Sequence, residues 1–155
     1  MMSLCCDVIK ALNGRTLATA ESCTGGGIGA ALTAVSGSSA VFKGGIISYT
    51  NEVKNKLLGV AESTLLEYGA VSAQVAEEMA IGAKRVLRSD VAVSVTGLAG
   101  PGGDDFGNPV GTVYIGYADD TTVFSKKFHF AGDRDAVRDV AVNTALKIVY
   151  EQINK

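Results

Sequence analysis

With 155 residues, 47% hydrophobic and 19% charged, the chain has the length of one α/β domain and too much apolar character for disorder. Its 14 Lys and Arg against 16 Asp and Glu, a net charge of −2 with no basic run, give no electrostatic footprint for nucleic acid. Three cysteines, two of them adjacent at Cys5 and Cys6, and a single histidine make a disulfide framework or a zinc site a poor fit.

Nothing approaches the ~18 apolar residues of a membrane span, and no charged region precedes the short apolar N-terminus. A cytoplasmic, soluble protein with no membrane partner is expected. In chain order, Leu4, Val8 and Leu12 have helical spacing, stopped by Asn13-Gly14. Thr16 to Ala20 reads as a strand end, followed at once by Glu21, Ser22, Cys23 and Thr24, then by Gly25, Gly26 and Gly27 and an Ala-rich helix to Val35. Val41 to Tyr49 is a second strand, with Gly44-Gly45 marking a bulge or close approach. Asn51 is expected to cap a helix ended by Gly59, and Ser63 to Tyr68 is a further helical turn or two. Ser72 caps a long helix with Val75, Met79, Ala83 and Val86 on one face, and Val91 to Val95 is a buried strand. After the glycine-rich loop 97–108, strands 111–118 and 121–130 flank Asp119-Asp120 as a two-residue hairpin. Asp133 caps the last helix, whose expected apolar face holds Val137, Val140, Ala141, Thr144, Ile148 and Val149.

Strands that alternate with helices and then close in a hairpin imply an α/β fold. The expected architecture is a three-layer α/β/α sandwich with a mixed, mostly parallel sheet, read as one domain over 1–155. In such sheets ligands bind outside the carboxyl ends of the strands. The Ser22 turn, the Tyr49 turn and the Gly97 loop all follow strands and should converge there.

The Ser22 turn joins a nucleophile to the N-terminus of a helix, where free N–H groups favour anions. Ser22 and Cys23 are both candidates, and residue type alone leaves the choice open. A serine needs a base. His129, the only histidine, falls in an alternating strand and reads as a residue facing solvent or a partner. Lys54, one helical turn beyond Tyr49, is the alternative, provided that burial or a nearby cation lowers its pKa. Ile46, Ile47, Leu57 and Leu58 are near enough in sequence to wall it in.

The stretch Ala20-Glu21-Ser22-Cys23-Thr24-Gly25-Gly26 resembles the signature of the CinA C-terminal domain family, the nicotinamide-nucleotide amidases. Further stretches agree in order: Gly37-Ser38-Ser39, Ser48 to Lys54, Gly69-Ala70-Val71-Ser72, Thr96 to Gly103, Pro109 to Val113 and Gly132-Asp133-Arg134. The resemblance implies a free-standing amidase domain that converts nicotinamide mononucleotide to nicotinate mononucleotide and ammonia. It implies Ser22, Tyr49 and Lys54 as the catalytic set; no cofactor is expected, and Asp104 and Asp105, two neighbouring acids in a loop, read as solvated rather than as a metal site. Backbone N–H groups from Thr24 to Gly26 would hold the oxyanion. For a nucleotide substrate the contacts expected are Glu21, Thr24, Gly25 and Gly26 at the turn and Thr96, Gly97 and Gly100 in the glycine-rich loop. That loop lacks the Gly-Lys-Ser/Thr ending of a P-loop, and Arg134 or Arg138 is expected to grip the phosphate. The departures from the family pattern are mild: Gly27 stands where a bulkier residue would be unremarkable. Whether the chain forms a homo-oligomer is left open.

Two other readings compete. Gly25, Gly27 and Ala30 fit a dinucleotide-binding fingerprint, with Glu52 for the ribose, although four polar residues precede the first glycine. A non-catalytic binding module on the same fold is the other.

Overall fold

The computed structural model describes residues 1–155. Its helices are α1 (Met2–Leu12), α2 (Gly27–Thr33), α3 (Asn51–Leu58), α4 (Glu62–Tyr68), α5 (Ala73–Leu87) and α6 (Arg134–Ile153). The strands are β1 (Leu17–Glu21), β2 (Phe42–Ile47), β3 (Val91–Gly97), β4 (Thr112–Ala118) and β5 (Val123–His129). They form one sheet in the order β2-β1-β3-β4-β5. β1 pairs in parallel with both β2 and β3, whereas β4 is antiparallel to β3 and to β5. Four strands therefore run one way and β4 alone opposes them. This is the expected three-layer α/β/α arrangement with a mixed sheet.

The two faces of β1 show how the layers are assembled. Successive side chains of a strand point to opposite faces. Leu17 joins a core cluster built with Val8 and Leu12 of α1, Ile28 and Leu32 of α2 and Val137, Ala141 and Leu146 of α6. Ala18 and Ala20 join Leu58, Leu65, Val75 and Met79 on the other side, from α3, α4 and α5. Small residues there let α5 lie close on the sheet. A Cβ on Gly116 of β4 would run into the Ala76 carbonyl of α5. That carbonyl accepts instead from Ser94 Oγ at 2.5 Å. In the same way, a Cβ on Gly82 of α5 would collide with the Leu58 carbonyl at the end of α3. Helices α3 and α5 thus touch backbone to backbone.

Caps fix the helix starts. Ser72 Oγ accepts from the Val75 N–H and Asp133 Oδ1 from the Ala136 N–H, as expected. At α3 the cap is Thr50, whose hydroxyl accepts from the Val53 N–H, so Asn51 is already helical. No helix is long and apolar enough to cross a membrane.

Four expectations need correction. Val86 and Val140, placed on apolar faces, are 43% and 42% exposed. The buried stripe of α6 runs instead through Ala145, Leu146 and Ile153 as well, because the helix packs on α1, α2 and the sheet at once. The hairpin tip is shifted by one residue: the Asp119 N–H donates to Thr122 O, and Asp119 Oδ1 gathers the Thr121 and Thr122 N–H groups. Gly27 is not an open position. A Cβ there would lie 2.9 Å from Val142 Cγ2, so its bare backbone lets α2 meet α6.

Candidate functional site

β1 runs one residue further than the sequence suggests, to Glu21, and this one-residue difference decides what each polar group does. Leu17, Thr19 and Glu21 share a face, and Glu21 consequently points toward α2. Its Oε1 accepts from Thr24 Oγ1 at 2.7 Å and from the Ile28 N–H at 2.8 Å, and its Oε2 accepts from the Gly29 N–H at 3.1 Å. The helix N-terminus is therefore capped from within by a buried carboxylate. Two consequences follow for the expected contacts. The Glu21 and Thr24 side chains are 2% and 1% exposed and occupied with each other, which leaves only the backbone of Thr24 free to meet a ligand. The pyrophosphate place of a dinucleotide-binding turn is filled by the protein itself, and Glu52 is paired with Lys56 in solvent.

Ser22 follows on the opposite face. Its N–H continues the ladder to Val95 O at 2.9 Å, which anchors the Ser22 turn to the sheet. The chain then turns through Gly25 and Gly26 at φ 59° and 100°, values that favour glycine. Within this turn the N–H groups of Ser22, Gly25 and Gly27 are bonded to backbone carbonyls. Those of Cys23, Thr24 and Gly26 donate to no other residue.

Lys54 comes from α3. Its Nζ lies 3.1 Å from Ser22 Oγ, and the residue is 2% exposed. No carboxylate pairs with it, since the ion pairs of the chain are Lys56–Glu52 and Lys84–Asp120. Burial without a counter-ion disfavours the ammonium, and the Lys54 pKa is pushed down to about 8. Of the four expected walls Leu58 is buried and Ile46 is half-buried against the same cluster, but Ile47 and Leu57 are 56% and 53% exposed. The Cys23 thiol is also buried, and desolvation raises its pKa to about 11.

Ser22 and Lys54 open onto a cleft of about 560 Å³ at the carboxyl ends of β1 and β3. Tyr49, Thr96, Gly97, Gly100 and Arg134 also line it. Gly25, Gly26 and Arg138 do not. Arg138 lies behind the turn, where Nε donates to Cys23 O at 3.0 Å and Nη2 reaches Thr24 O at 3.5 Å. Arg134 stands in the cleft, with Nη1 donating to Gly100 O at 2.8 Å and Nη2 to the Tyr49 hydroxyl at 3.0 Å. Tyr49 is more than half exposed, and its hydroxyl meets Arg134 rather than Ser22 or Lys54. Thr96 Oγ1 donates to Ala70 O at 2.8 Å and so braces the α4–α5 turn. His129 is remote, on the edge strand β5, with its Nε2 3.0 Å from Val110 O. Sequence reasoning missed Asn51, Ala70, Val71 and Phe106 in the lining. Asn51 falls within the Ser48 to Lys54 stretch and Ala70 and Val71 within Gly69-Ala70-Val71-Ser72, which gave a signal for those three, whereas Phe106 lies outside every such stretch.

Residues 3–153 match the CinA C-terminal domain. The chain belongs to that family. A CinA-like protein of Geobacter sulfurreducens is 54% identical over 133 residues, which are 86% of this chain but 32% of that protein. The chain thus spans about a third of the length of such relatives. A protein of Enterobacter agglomerans named nicotinamide-nucleotide amidohydrolase PncC is 50% identical over 137 residues, covering 88% of this chain and 84% of that one. The crystal structure of the competence/damage inducible protein CihA from Agrobacterium tumefaciens superposes with a TM-score of 0.94 at 40% identity. That match covers 99% of this CinA-family chain and 95% of the other.

Proposed function

We propose that residues 1–155 act as one amidase domain that hydrolyses the carboxamide of nicotinamide mononucleotide, with Ser22 as nucleophile and Lys54 as its base. The observation that carries this reading is the buried Lys54 with no carboxylate partner and its Nζ 3.1 Å from Ser22 Oγ. A lysine held this way is partly neutral near pH 7, and its lone pair can take a hydroxyl proton. The name of the similar Enterobacter agglomerans protein supports the substrate.

The chemistry balances with these groups alone. Neutral Lys54 takes the Ser22 proton as Oγ bonds to the amide carbon. The resulting oxyanion is held by the unbonded N–H groups of Cys23 and Thr24. Lys54 then returns the proton to the leaving nitrogen, the C–N bond breaks and ammonia departs. Water, deprotonated by Lys54, attacks the Ser22 ester and releases the nicotinate product with the hydroxyl restored. Arg134 receives the phosphate, and Tyr49 orients Arg134 through the hydrogen bond at 3.0 Å, which makes it a positioning residue.

Incubating the chain with nicotinamide mononucleotide and measuring ammonia and nicotinate mononucleotide tests the reading. Equimolar release that disappears in Ser22→Ala is the expected result. No release from the unaltered chain would overturn the function, and release that persists in Ser22→Ala would overturn the mechanism.

A further inference from the structure

We infer that Phe106 and Asp105 form a seat for a cationic aromatic ring, so that the cleft selects the positively charged pyridinium of its substrate. This rests on the amidase reading above and adds to it the part of the substrate that this loop recognises.

Four observations meet here. First, Phe106 lines the same cleft as Ser22 and Lys54, yet it is 51% exposed and stacks on no other aromatic ring. Second, one side of its ring rests on bare backbone. A Cβ on Gly69 would lie 2.6 Å from Phe106 Cδ2 and 2.7 Å from Cε2, so only glycine leaves room for the ring in this place. Third, the loop that carries it is fixed by Asp104. Asp104 Oδ1 accepts from the N–H groups of Phe106 and Asn108 at 3.2 and 3.1 Å, and its Oδ2 from Asn108 Nδ2 at 2.7 Å. Asn108 Nδ2 also reaches Val71 O at 3.3 Å and ties the loop to the turn before α5. Fourth, the adjacent Asp105 lines the cleft with a carboxylate that has no hydrogen bond or ion pair within the protein.

An apolar ring left half in water and locked in position is preorganised for a flat partner. The face of a phenyl ring carries negative charge density and attracts a cation, most strongly where water is displaced. A free carboxylate one residue away adds to that field. A pyridine nitrogen bonded to ribose is permanently cationic, whereas the reduced dihydropyridine ring of the same nucleotide is neutral. Both forms carry the same phosphate and the same carboxamide. They differ at the place that Phe106 and Asp105 would read. In the same wall Arg134 bonds Gly100, and the cleft therefore carries a fixed positive group for phosphate as well as this negative seat.

Dissociation constants of nicotinamide mononucleotide and its dihydro form, measured by calorimetry on the full chain in a Ser22→Ala background, test the inference. The parent should prefer the cationic ring. Phe106→Leu and Asp105→Asn should each weaken the cation about three- to thirtyfold and change the dihydro form by less than about twofold. Phe106→Tyr should retain the preference. Equal loss for both ring forms, or no loss in either variant, would overturn the ring seat while leaving the amidase reading intact. Ammonia release by the unaltered chain reports separately on that reading.

Discussion

Arg138 Nε donates to the carbonyl of Cys23 at 3.0 Å across 115 residues of sequence, binding α6 to the back of the Ser22 turn. Arg134, one helical turn earlier on α6, faces the cleft instead. The two arginines should therefore fail in different ways. Arg134→Ala should raise KM for the mononucleotide at least tenfold and change the dephosphorylated riboside little, because a charge-assisted phosphate contact is lost. Arg138→Ala should lower kcat for both substrates alike, because the turn carrying Ser22 loses its brace. Steady-state kinetics on the two substrates checks both outcomes, and a phosphate-selective loss in Arg138→Ala would contradict this division.

Cys23 borders the cleft, but burial pushes its thiol pKa up. With a pKa of about 11, only about one thiol in ten thousand is ionised at pH 7. Cys23→Ala should keep most of the activity, whereas Ser22→Ala should lose about 10⁴-fold or more. Thiol alkylation under native conditions should likewise leave turnover nearly unchanged.

The lysine makes two measurable statements about pH. In the proposed mechanism the base is neutral Lys54, so kcat/KM should rise with pH through about 8 and level off above it. Lys54→Arg, which stays charged, should be inactive at every pH. Stability follows with a defined sign. The folded pKa is below the unfolded value of 10.5, so between about 8 and 10.5 the unfolded chain binds more protons and stability increases with pH. Below about 8 the full penalty, about 3 kcal/mol, is present. Lys54→Met should thus stabilise the fold by up to that amount at pH 7, with the gain fading toward pH 10.5. Urea titrations across this range provide the check.

Removing the internal cap should be costly. Glu21→Ala strands Thr24 Oγ1 and the N–H groups of Ile28 and Gly29 in a buried place. The expected loss is about 3–5 kcal/mol, seen as a lower urea midpoint at unchanged slope. Glu21→Gln keeps the shape and one acceptor and should lose about half as much.

The parts of the site that were legible in the sequence are those governed by local chemistry. A polar cluster between a strand and a glycine turn marks Ser22, and a lysine one helical turn past the next strand marks Lys54. The layer order followed from the alternation of strands and helices. What escaped depended on register and long-range packing. Ending β1 one residue early turned Glu21 from a helix cap into a supposed substrate contact. Arg138 and Arg134 differ by one helical turn in sequence, and only the tertiary fold turns one behind the loop and the other into the cleft. Val86 and Val140 have core-like spacing, yet they fall beyond the edge of the surface that their helices bury. Phe106 carried no signal, because an aromatic residue in a glycine-rich loop has no periodicity to read.

The bare contact between Gly82 and the Leu58 carbonyl bears on any attempt to transplant this chemistry. The residues that identify the site are short and local, and they invite grafting onto another α/β scaffold. Yet the reach of Lys54 is set by how closely α3 lies on α5, and Arg85 Nη2 holds the same Leu58 carbonyl at 3.3 Å from the next turn of α5. A scaffold with an ordinary side chain at Gly82 would hold α3 a methyl group farther out and leave the amine short of the hydroxyl. The smallest transferable unit is therefore the β1 turn together with both helices, and the residue that deserves copying first is one that bears no functional group.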